Sequence, residues 1–299
     1  MSLAKIILVA GPTASGKSAF AAAMAARTGG VIINTDALQI YAGLPLLSAQ
    51  PTPEQRAMAP HKLYGTTDAS ERSSAGKWLR QAQAAIAECL QAGQTPIMVG
   101  GTGLYFQSLL GGLAEIPNIP EAAHEEAHRL YMEIGEGAFR QKLASLDAES
   151  ASRIAPNDRQ RLTRAYEVAI HTGKPLSAWH RASVGADLGA GSITLPYAGH
   201  VTVAVERHLI MPERDILYQQ CNQRFHVMLE QGALREVEGI LPRHLDDTLP
   251  AMKTIGVREL ADYLSGNCSL EAAISNAQQA TRNYAKRQMT WFRNQWPKT

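Results

Sequence analysis

The feature that most constrains this chain is an octapeptide near its start, placed between a strand pattern and a helix pattern. Residues 11–18 read Gly-Pro-Thr-Ala-Ser-Gly-Lys-Ser and match the phosphate-loop pattern G-x-x-x-x-G-K-[ST] in full. The apolar run at 5–10 predicts a buried strand, and residues 18–27 predict a helix. Such a turn directs backbone N–H groups and a helix N-terminus at one anion, so it predicts a di- or triphosphate site.

The residue types of this loop have separate expected roles. Lys17 is expected to reach the outer phosphates, and Ser18 to hold a Mg²⁺ ion that bridges them. The predicted diphosphate-binding residues of the loop are Gly11, Pro12, Thr13, Ala14, Ser15, Gly16, Lys17 and Ser18. The pattern indicates which group is bound and leaves the reaction open.

The bulk composition excludes several classes of protein. The chain has 299 residues, of which 45% are hydrophobic, as is typical of a globular protein. Its apolar runs fall short of the ~20 residues that span a bilayer, and the start lacks the pattern of a signal peptide. The three cysteines are scattered and indicate neither a disulfide framework nor a metal site. We expect a cytoplasmic protein with no membrane partner.

The order of the patterns predicts an α/β fold. Strand patterns at 31–34 and 96–100 follow the first strand and alternate with helix patterns, which indicates a parallel sheet flanked by helices, as in P-loop NTPases. Residues 113–195 are charged and mostly helical in pattern, and a strand pattern returns at 201–205. We therefore expect a core of residues 1–112 and 196–299, interrupted by a helical insertion at 113–195.

Two short segments at strand ends are candidates for catalysis. Asp36 follows the second strand; it would either accept a proton from a nucleophile or cap a turn, and the sequence leaves both open. The third strand runs into Gly-Gly-Thr at 100–102, where phosphate-loop NTPases usually place a Mg²⁺-linked Asp. Neutral amides and the Thr102 hydroxyl suit hydrogen bonding to a departing diphosphate better than activation of water. A tight turn would explain the glycines but less easily Thr102.

Two further patterns have a functional and a bland interpretation. Residues 124–128 match H-E-x-x-H, but no further Gly/His pattern supplies a third zinc ligand, so we interpret the match as coincidental. Basic residues at 153–164 and in the segment 280–293 are candidate nucleic-acid surfaces or solvated helix faces. On a continuous helix Arg282, Lys286 and Arg293 would fall within ~40° of one another, edged by aromatics that suit RNA.

Taken together and in order, these segments resemble the tRNA dimethylallyltransferases, also called tRNA isopentenyltransferases, of the IPP transferase family. The resemblance runs over nearly the whole chain. It rests on the phosphate loop, Asp-Ala-Leu-Gln-Ile-Tyr at 36–41, Gly-Gly-Thr-Gly-Leu-Tyr at 100–105, Asp-Arg-Gln-Arg at 158–161, Ile-Gly-Val-Arg at 255–258 and Thr-Arg-Asn-Tyr-Ala-Lys-Arg-Gln at 281–288.

The resemblance implies transfer of a dimethylallyl group from dimethylallyl diphosphate to N6 of the adenosine 3′ of the tRNA anticodon. The phosphate loop would then bind the leaving diphosphate with Mg²⁺, aided by Arg214 with Arg224 behind it. Asp36 would accept the N6 proton, Thr102 would bond near the bridging oxygen, and the adenine would flip out of its stack. The implied tRNA-binding residues, in a monomer that grips the anticodon stem-loop, are Asp36, Ala37, Leu38, Gln39, Gln160, Arg161, Leu162, Thr163, Arg164, Arg282, Lys286 and Arg287.

The chain departs from the family's pattern at four positions. Ala37 stands where Ser is usual, Gln50 where Lys is usual, Lys62 in a His-His pair, and Val257 where Tyr is usual. None of the four positions is Lys17, Asp36 or Thr102, so we expect activity with altered substrate affinity.

Two other functions use the same loop. A small-molecule kinase would bind ATP there and use Asp36 as a base toward a hydroxyl, and a regulatory module would bind a nucleotide without turnover.

Overall fold

The computed structural model describes residues 3–111, 113–114, 116–182, 187–195 and 201–297. The chain forms two compact units, the first comprising Met1–Leu110 and Asp187–Thr299, the second Gly111–Ala186. We expected the insertion to span residues 113–195, whereas the second unit ends at Ala186 and residues 187–195 group with the first unit. The expected boundary at 196 lies outside the described residues.

The first unit is built on a six-stranded sheet, which confirms the predicted α/β class with a mostly parallel sheet. The strands are β1 Lys5–Ala10, β2 Val31–Asn34, β3 His61–Lys62, β4 Pro96–Gly100, β5 Ser192–Leu195 and β6 Val201–Leu209. Their spatial order is β3-β2-β4-β1-β6-β5, and every neighbouring pair is parallel except β5 with β6. The carboxyl ends of β1, β2 and β4 therefore meet at one edge, where α/β proteins bind ligands.

Helices cover both faces of this sheet. Alternate residues of the central strands enter two separate cores: Ile6 and Leu8 face one, and Ile7 and Val9 face the other. The helices of the first unit are α1 Lys17–Thr28, α2 Pro53–Met58, α3 Ala75–Gln91, α4 Gly103–Gly111, α9 Arg214–Glu230, α10 Ala233–Ile240, α11 Val257–Leu264 and α12 Leu270–Gln295.

The second unit is helical. Its helices are α5 Glu121–Leu146, α6 Ala148–Arg153, α7 Arg159–Thr172 and α8 Leu176–Ala182. The long α5 is broken at Gly135, whose φ of 73° is left-handed. Phe139 and Leu143 of α5 pack against Leu162 and Val168 of α7 in the core of the unit. Across the described residues of both units, no helix is long and apolar enough to cross a membrane.

Two strands were not predicted. β3 has only two residues, too few to show a period. β5 lies in the segment assigned to the insertion, and it forms only by pairing with the longer β6. The predicted strands at 5–10, 31–34 and 96–100 are confirmed with the same bounds.

Gly100→Ala is expected to destabilise the protein by about 3 kcal/mol or more. An added Cβ would lie 1.9 Å from the carbonyl oxygen of Thr35, whose backbone is held in place by hydrogen bonds with Val99 and Thr102. The matched control is Gly239→Ala in α10, where an added Cβ meets nothing within 4 Å and should stabilise by up to ~1 kcal/mol. Urea unfolding of both variants measures the difference, and equal midpoints would contradict the packing argument.

Candidate active site

The phosphate loop lies between β1 and α1 at the carboxyl edge of the sheet. Gly16 adopts a left-handed backbone with a φ of 84°, and α1 begins at the next residue. Gly11 lacks room for a side chain, because a Cβ there would lie 2.3 Å from the carbonyl oxygen of Ile210. The strand, loop and helix thus place a helix N-terminus where a phosphate would bind.

Two serines of the loop bear on what it can hold. The Ser15 hydroxyl is buried and has no hydrogen-bond partner among the described residues, so it is available to an anion. Ser18 is exposed in the first turn of α1. In the part of the chain that the structure describes, no group of three His, Cys, Asp or Glu residues could hold a metal. The Ser18 hydroxyl and phosphate oxygens would be the donors for Mg²⁺, which accepts few protein ligands.

Lys17 is buried at the bottom of this loop. Its side chain is 7% exposed, and its Nζ donates to the carbonyl oxygen of Pro12 at 3.1 Å. Burial lowers the pKa of Lys17 to about 8, although the nearby Asp36 carboxylate acts to raise it and the Arg224 guanidinium to lower it further. Lys17 is therefore a buried cation beside Asp36 and Arg224, at the place where an anionic phosphate would bind.

Asp36 is also buried, at 8% exposure, just beyond the end of β2. Its backbone is fixed by Asn34, whose Oδ1 accepts from the Asp36 N–H at 2.8 Å, and its Oδ1 accepts from the Leu38 N–H at 3.1 Å. Burial, and then the Asp36 charge, raise the pKa of the Tyr284 hydroxyl. The Asp36 carboxylate interacts electrostatically with Lys17 and Arg224 and with the hydroxyl groups of nearby tyrosines, and it also caps the turn at Leu38.

Thr102 joins the segment after β4 to the segment that carries Asp36. Its Oγ1 accepts from the Ala37 N–H at 3.0 Å, and its own N–H donates to the Thr35 carbonyl oxygen at 3.3 Å. Asp36 and Thr102 therefore belong to one hydrogen-bonded arrangement, beside the phosphate loop.

The two candidate arginines of α9 have different positions. Arg224 Nη2 donates to the Thr13 hydroxyl of the phosphate loop, and burial lowers the Arg224 pKa. Arg214 is 65% exposed, stacks over the Tyr218 ring at 5.6 Å and lies 3.8 Å from Asp215. From the sequence we expected Arg214 to lie nearer the diphosphate than Arg224. In the structure Arg224 is the one that contacts the phosphate loop, because it lies on the inward side of α9.

The other predicted tRNA-binding residues of the Asp36 segment are partly buried. The Ala37 N–H is engaged by Thr102, and Leu38 lies next to it. The Gln39 amide nitrogen donates to the carbonyl oxygens of Ser48 and Ala49, at 3.0 and 2.9 Å. The Gln39 side chain thus holds the backbone at Ser48 and Ala49 in place.

In the second unit, α7 turns only some of its predicted tRNA-binding residues outward. Gln160, Arg161 and Arg164 are exposed. Leu162 and Thr163 are buried, Leu162 in the core and Thr163 with its hydroxyl donating to the Arg159 carbonyl oxygen at 3.0 Å. The expectation that these two side chains contact tRNA is corrected, because the helix period directs them away from solvent.

Two exposed arginines of α7 pair with carboxylates. Arg161 pairs with Asp158 at 2.6 Å and Arg164 with the buried Glu167 at 2.6 Å. Glu167 also accepts from His124 Nδ1 at 2.9 Å, so this histidine of the H-E-x-x-H match pairs within the unit.

The basic residues of α12 divide in a similar way. Lys286 and Arg287 are exposed, and Arg287 lies over the Tyr284 ring at 5.7 Å. Arg282 is half-buried and donates to Asn222 at 2.6 Å and to Gln279 at 2.7 Å. Lys286 and Arg287 border a shallow groove with Asn283 and Thr290, which suits a chain of phosphates. Of the expected basic stripe, Lys286 and Arg293 are exposed, whereas the Arg282 guanidinium is held by Asn222 and Gln279.

Sequence reasoning missed two site residues on α12. Tyr284 lies beside Thr102 and Asp36. Gln288 is buried and contacts both the phosphate loop and the segment after β4. The one signal for Gln288 in the sequence was its place in the terminal motif at 281–288. Its burial and its backbone partners are visible only in the structure.

The four departures have plain structural settings. The Gln50 amide nitrogen donates to the Tyr41 carbonyl oxygen at 2.7 Å, and Lys62 pairs with Glu88. Val257 is buried at the start of α11. Ala37 packs against the larger core beside Thr102. Their expected effect on substrate affinity stays a prediction.

Comparison with known proteins places this site in context. The model of the "IPP transferase" family matches residues 39–295, and that of "Isopentenyl transferase" matches residues 4–64. The chain is 50% identical to the tRNA dimethylallyltransferase of Caulobacter sp. (strain K31), over 98% of this chain and 91% of the relative. It is 48% identical to that of Phenylobacterium zucineum (strain HLK1), over 98% and 92%.

A solved structure is similar over most of its length. The tRNA isopentenylpyrophosphate transferase of Bacillus halodurans superposes with a TM-score of 0.65 at 31% identity, covering 97% of this chain and 87% of that one.

Lys17→Met is expected to stabilise the ligand-free protein at pH 7, by an amount of the order of 1–3 kcal/mol. With a Lys17 pKa of about 8 when folded and an ordinary value of 10.5 when unfolded, the unfolded state binds more protons between these values. The free energy of unfolding of the unmodified protein therefore rises with pH in this range. The gap in free energy of unfolding between the variant and the unmodified protein becomes smaller. Urea unfolding at several pH values measures the gap; Lys286→Met controls for replacing a lysine. A gap that is constant from pH 7 to 10.5 would contradict the burial argument.

Proposed function

Because this chain belongs to the IPP transferase family, we propose that it is a tRNA dimethylallyltransferase that modifies N6 of the adenosine adjacent, on the 3′ side, to the anticodon. The donor is dimethylallyl diphosphate and the by-product is diphosphate. The observation that carries the proposal is the convergence of Lys17, Arg224, Asp36 and Thr102 at one edge of the sheet.

The phosphate loop supports the role of a leaving-group site. As the bond between C1 of the dimethylallyl group and the bridging oxygen breaks, negative charge develops on the diphosphate. Lys17, Arg224 and the N-terminus of α1 are already in place to stabilise that charge, so little reorganisation is needed. The Thr102 hydroxyl, fixed by Ala37, would donate near the bridging oxygen.

Mg²⁺ is proposed as the cofactor. Ser18 and the diphosphate oxygens would hold it, and when bound it would supply further neutralisation of the leaving group. The Ser15 hydroxyl is buried and has no hydrogen-bond partner in the part of the chain that the structure describes, which supports an anionic ligand in the loop.

Asp36 would act as the general base. The exocyclic amine of adenine is a weak nucleophile, and it loses a proton as its nitrogen forms the bond to C1. The buried Asp36 carboxylate, held by backbone contacts, would accept this proton. The base must leave its stack to reach the carboxylate, so flipping of the adenosine is part of the proposal.

The exposed cations would bind the RNA backbone. Lys286 and Arg287 of α12 are exposed and would bind phosphates of the anticodon stem-loop. Arg161 and Arg164 of α7 are also exposed, and they would share or exchange their pairs with Asp158 and Glu167 to reach a phosphate. The oligomeric state expected for this activity is a monomer.

The proposed function is tested by following two labelled donors. Unmodified tRNA is incubated with the protein and with either dimethylallyl diphosphate labelled in the prenyl group or ATP labelled in the γ-phosphate. Transfer of label to tRNA from the prenyl donor alone supports the proposal. Turnover of ATP on a small alcohol without prenyl transfer would instead identify a kinase, which family membership disfavours.

Asp36→Asn is expected to lower kcat for prenyl transfer by ~10²–10⁴-fold and to leave the Kd for tRNA nearly unchanged. The amide keeps an oxygen to accept the Leu38 N–H but cannot take up the N6 proton. Single-turnover rates and filter binding, with the exposed Asp262→Asn as control, separate the two effects. A collapse of tRNA affinity with a normal rate at saturating tRNA would assign Asp36 to binding instead.

Lys286→Ala and Arg287→Ala are each expected to weaken tRNA binding and to reduce the slope of log Kd against log salt by about 0.9 per lost phosphate contact. Arg282→Ala should change the slope less, because its guanidinium is held by Asn222 and Gln279. Arg27→Ala, at the far end of α1, is the control cation. Unchanged slopes for both exposed variants would remove α12 from the RNA-binding surface.

A further inference from the structure

Gln288 belongs to the terminal motif at 281–288, and the proposed function gives it no role. It lies on α12 and is 5% exposed. Its Oε1 accepts from the Thr13 N–H at 2.8 Å, and its Nε2 donates to the Gly101 carbonyl oxygen at 2.9 Å. A single amide therefore connects the phosphate loop to the segment after β4, using one acceptor and one donor.

The surrounding packing is shaped around this amide. A Cβ at Gly101 would lie 2.3 Å from Gln288 Nε2, and a Cβ at Gly103 would lie 2.3 Å from the Trp291 ring. The absence of side chains at these glycines lets one face of α12 rest directly on the turn that leads to Thr102. Gln288 is therefore closely fitted to the turn and not merely near it.

Thr13 is held from two helices at once. Gln288 Oε1 of α12 accepts a hydrogen bond from the Thr13 N–H, and Arg224 of α9 donates one to the Thr13 hydroxyl. The Thr13 N–H is consequently committed to Gln288, so the Gln288 amide fixes the loop backbone and leaves the diphosphate to the other groups of the loop.

We propose that Gln288 is a positioning residue for prenyl transfer, which sets the distance between the phosphate loop and the turn that carries Thr102. This inference rests on the proposed function. The loop holds the outer part of the diphosphate, while Thr102 would bond near its bridging oxygen. Both must act on one leaving group as the C1–O bond breaks, so a shift of one against the other lowers the rate without removing either group.

The amide is chemically specific for this task. Methionine fills a similar volume but neither accepts nor donates strongly, and glutamate cannot donate to the Gly101 carbonyl oxygen. If Gln288 only filled space, Gln288→Met would behave as the unmodified protein does. If it holds the two segments, both Gln288→Met and Gln288→Glu are defective.

The test compares Gln288→Met with Gln278→Met, a glutamine of the same helix whose amide bonds to the Asn222 carbonyl oxygen, away from the loop. We expect kcat to fall by roughly 10–100-fold for Gln288→Met alone, with the Kd for tRNA unchanged. We also expect faster amide hydrogen exchange in the peptide that contains residues 11–18. Should Gln288→Met fail to fold, kcat is measured for Gln288→Glu together with exchange in the peptide that contains Gly101, because glutamate can still accept from the Thr13 N–H but cannot donate to the Gly101 carbonyl oxygen.

Two results would overturn the inference: a kcat within twofold of Gln278→Met, or unchanged exchange in the phosphate loop. The exchange measurement needs no substrate. If the unmodified protein transfers no prenyl group, the proposed function fails, and exchange still decides whether Gln288 holds the loop.

Discussion

The site depends on the direct contact of backbone segments that carry no side chain at the carboxyl edge of the sheet. At Gly11, Gly100 and Gly101 an added Cβ would overlap a carbonyl oxygen or an amide nitrogen. This close approach accompanies the placement of the phosphate loop, Asp36 and Thr102 beside one another. The glycines therefore determine the site even though none of them supplies a reactive group.

The same closeness explains the charge balance of the site. Lys17 is buried beside Asp36 and near Arg224, so its ammonium group has lost water without gaining a full counter-ion. An arrangement of this kind lowers the stability of the ligand-free protein and strengthens its interaction with an anion. Stability and ligand binding are thus opposed at a single side chain.

The sequence was sufficient where neighbours in the chain decide the structure. The phosphate loop, its flanking strand and helix, and the Asp36 segment have local signals of this kind. Arg214 and Arg224 lie on one helix, and only the packing of α9 decides which faces the loop. Leu162 was misjudged for a related reason, since a motif marks a segment while the helix period decides which side chains are exposed. Gln288 was missed because its two partners are 275 and 187 residues away.

The large separation along the chain between Gln288 and its two partners has a consequence for biosynthesis. A polypeptide that stops before residue 288 still contains the phosphate loop, Asp36 and Thr102, and it also retains Arg224. It lacks the group that joins Thr13 to Gly101, and it lacks Phe292 and Trp296 of the larger core. Competence would then be acquired only once α12 has been synthesised and has docked, so a product that stops before residue 288 is expected to lack activity.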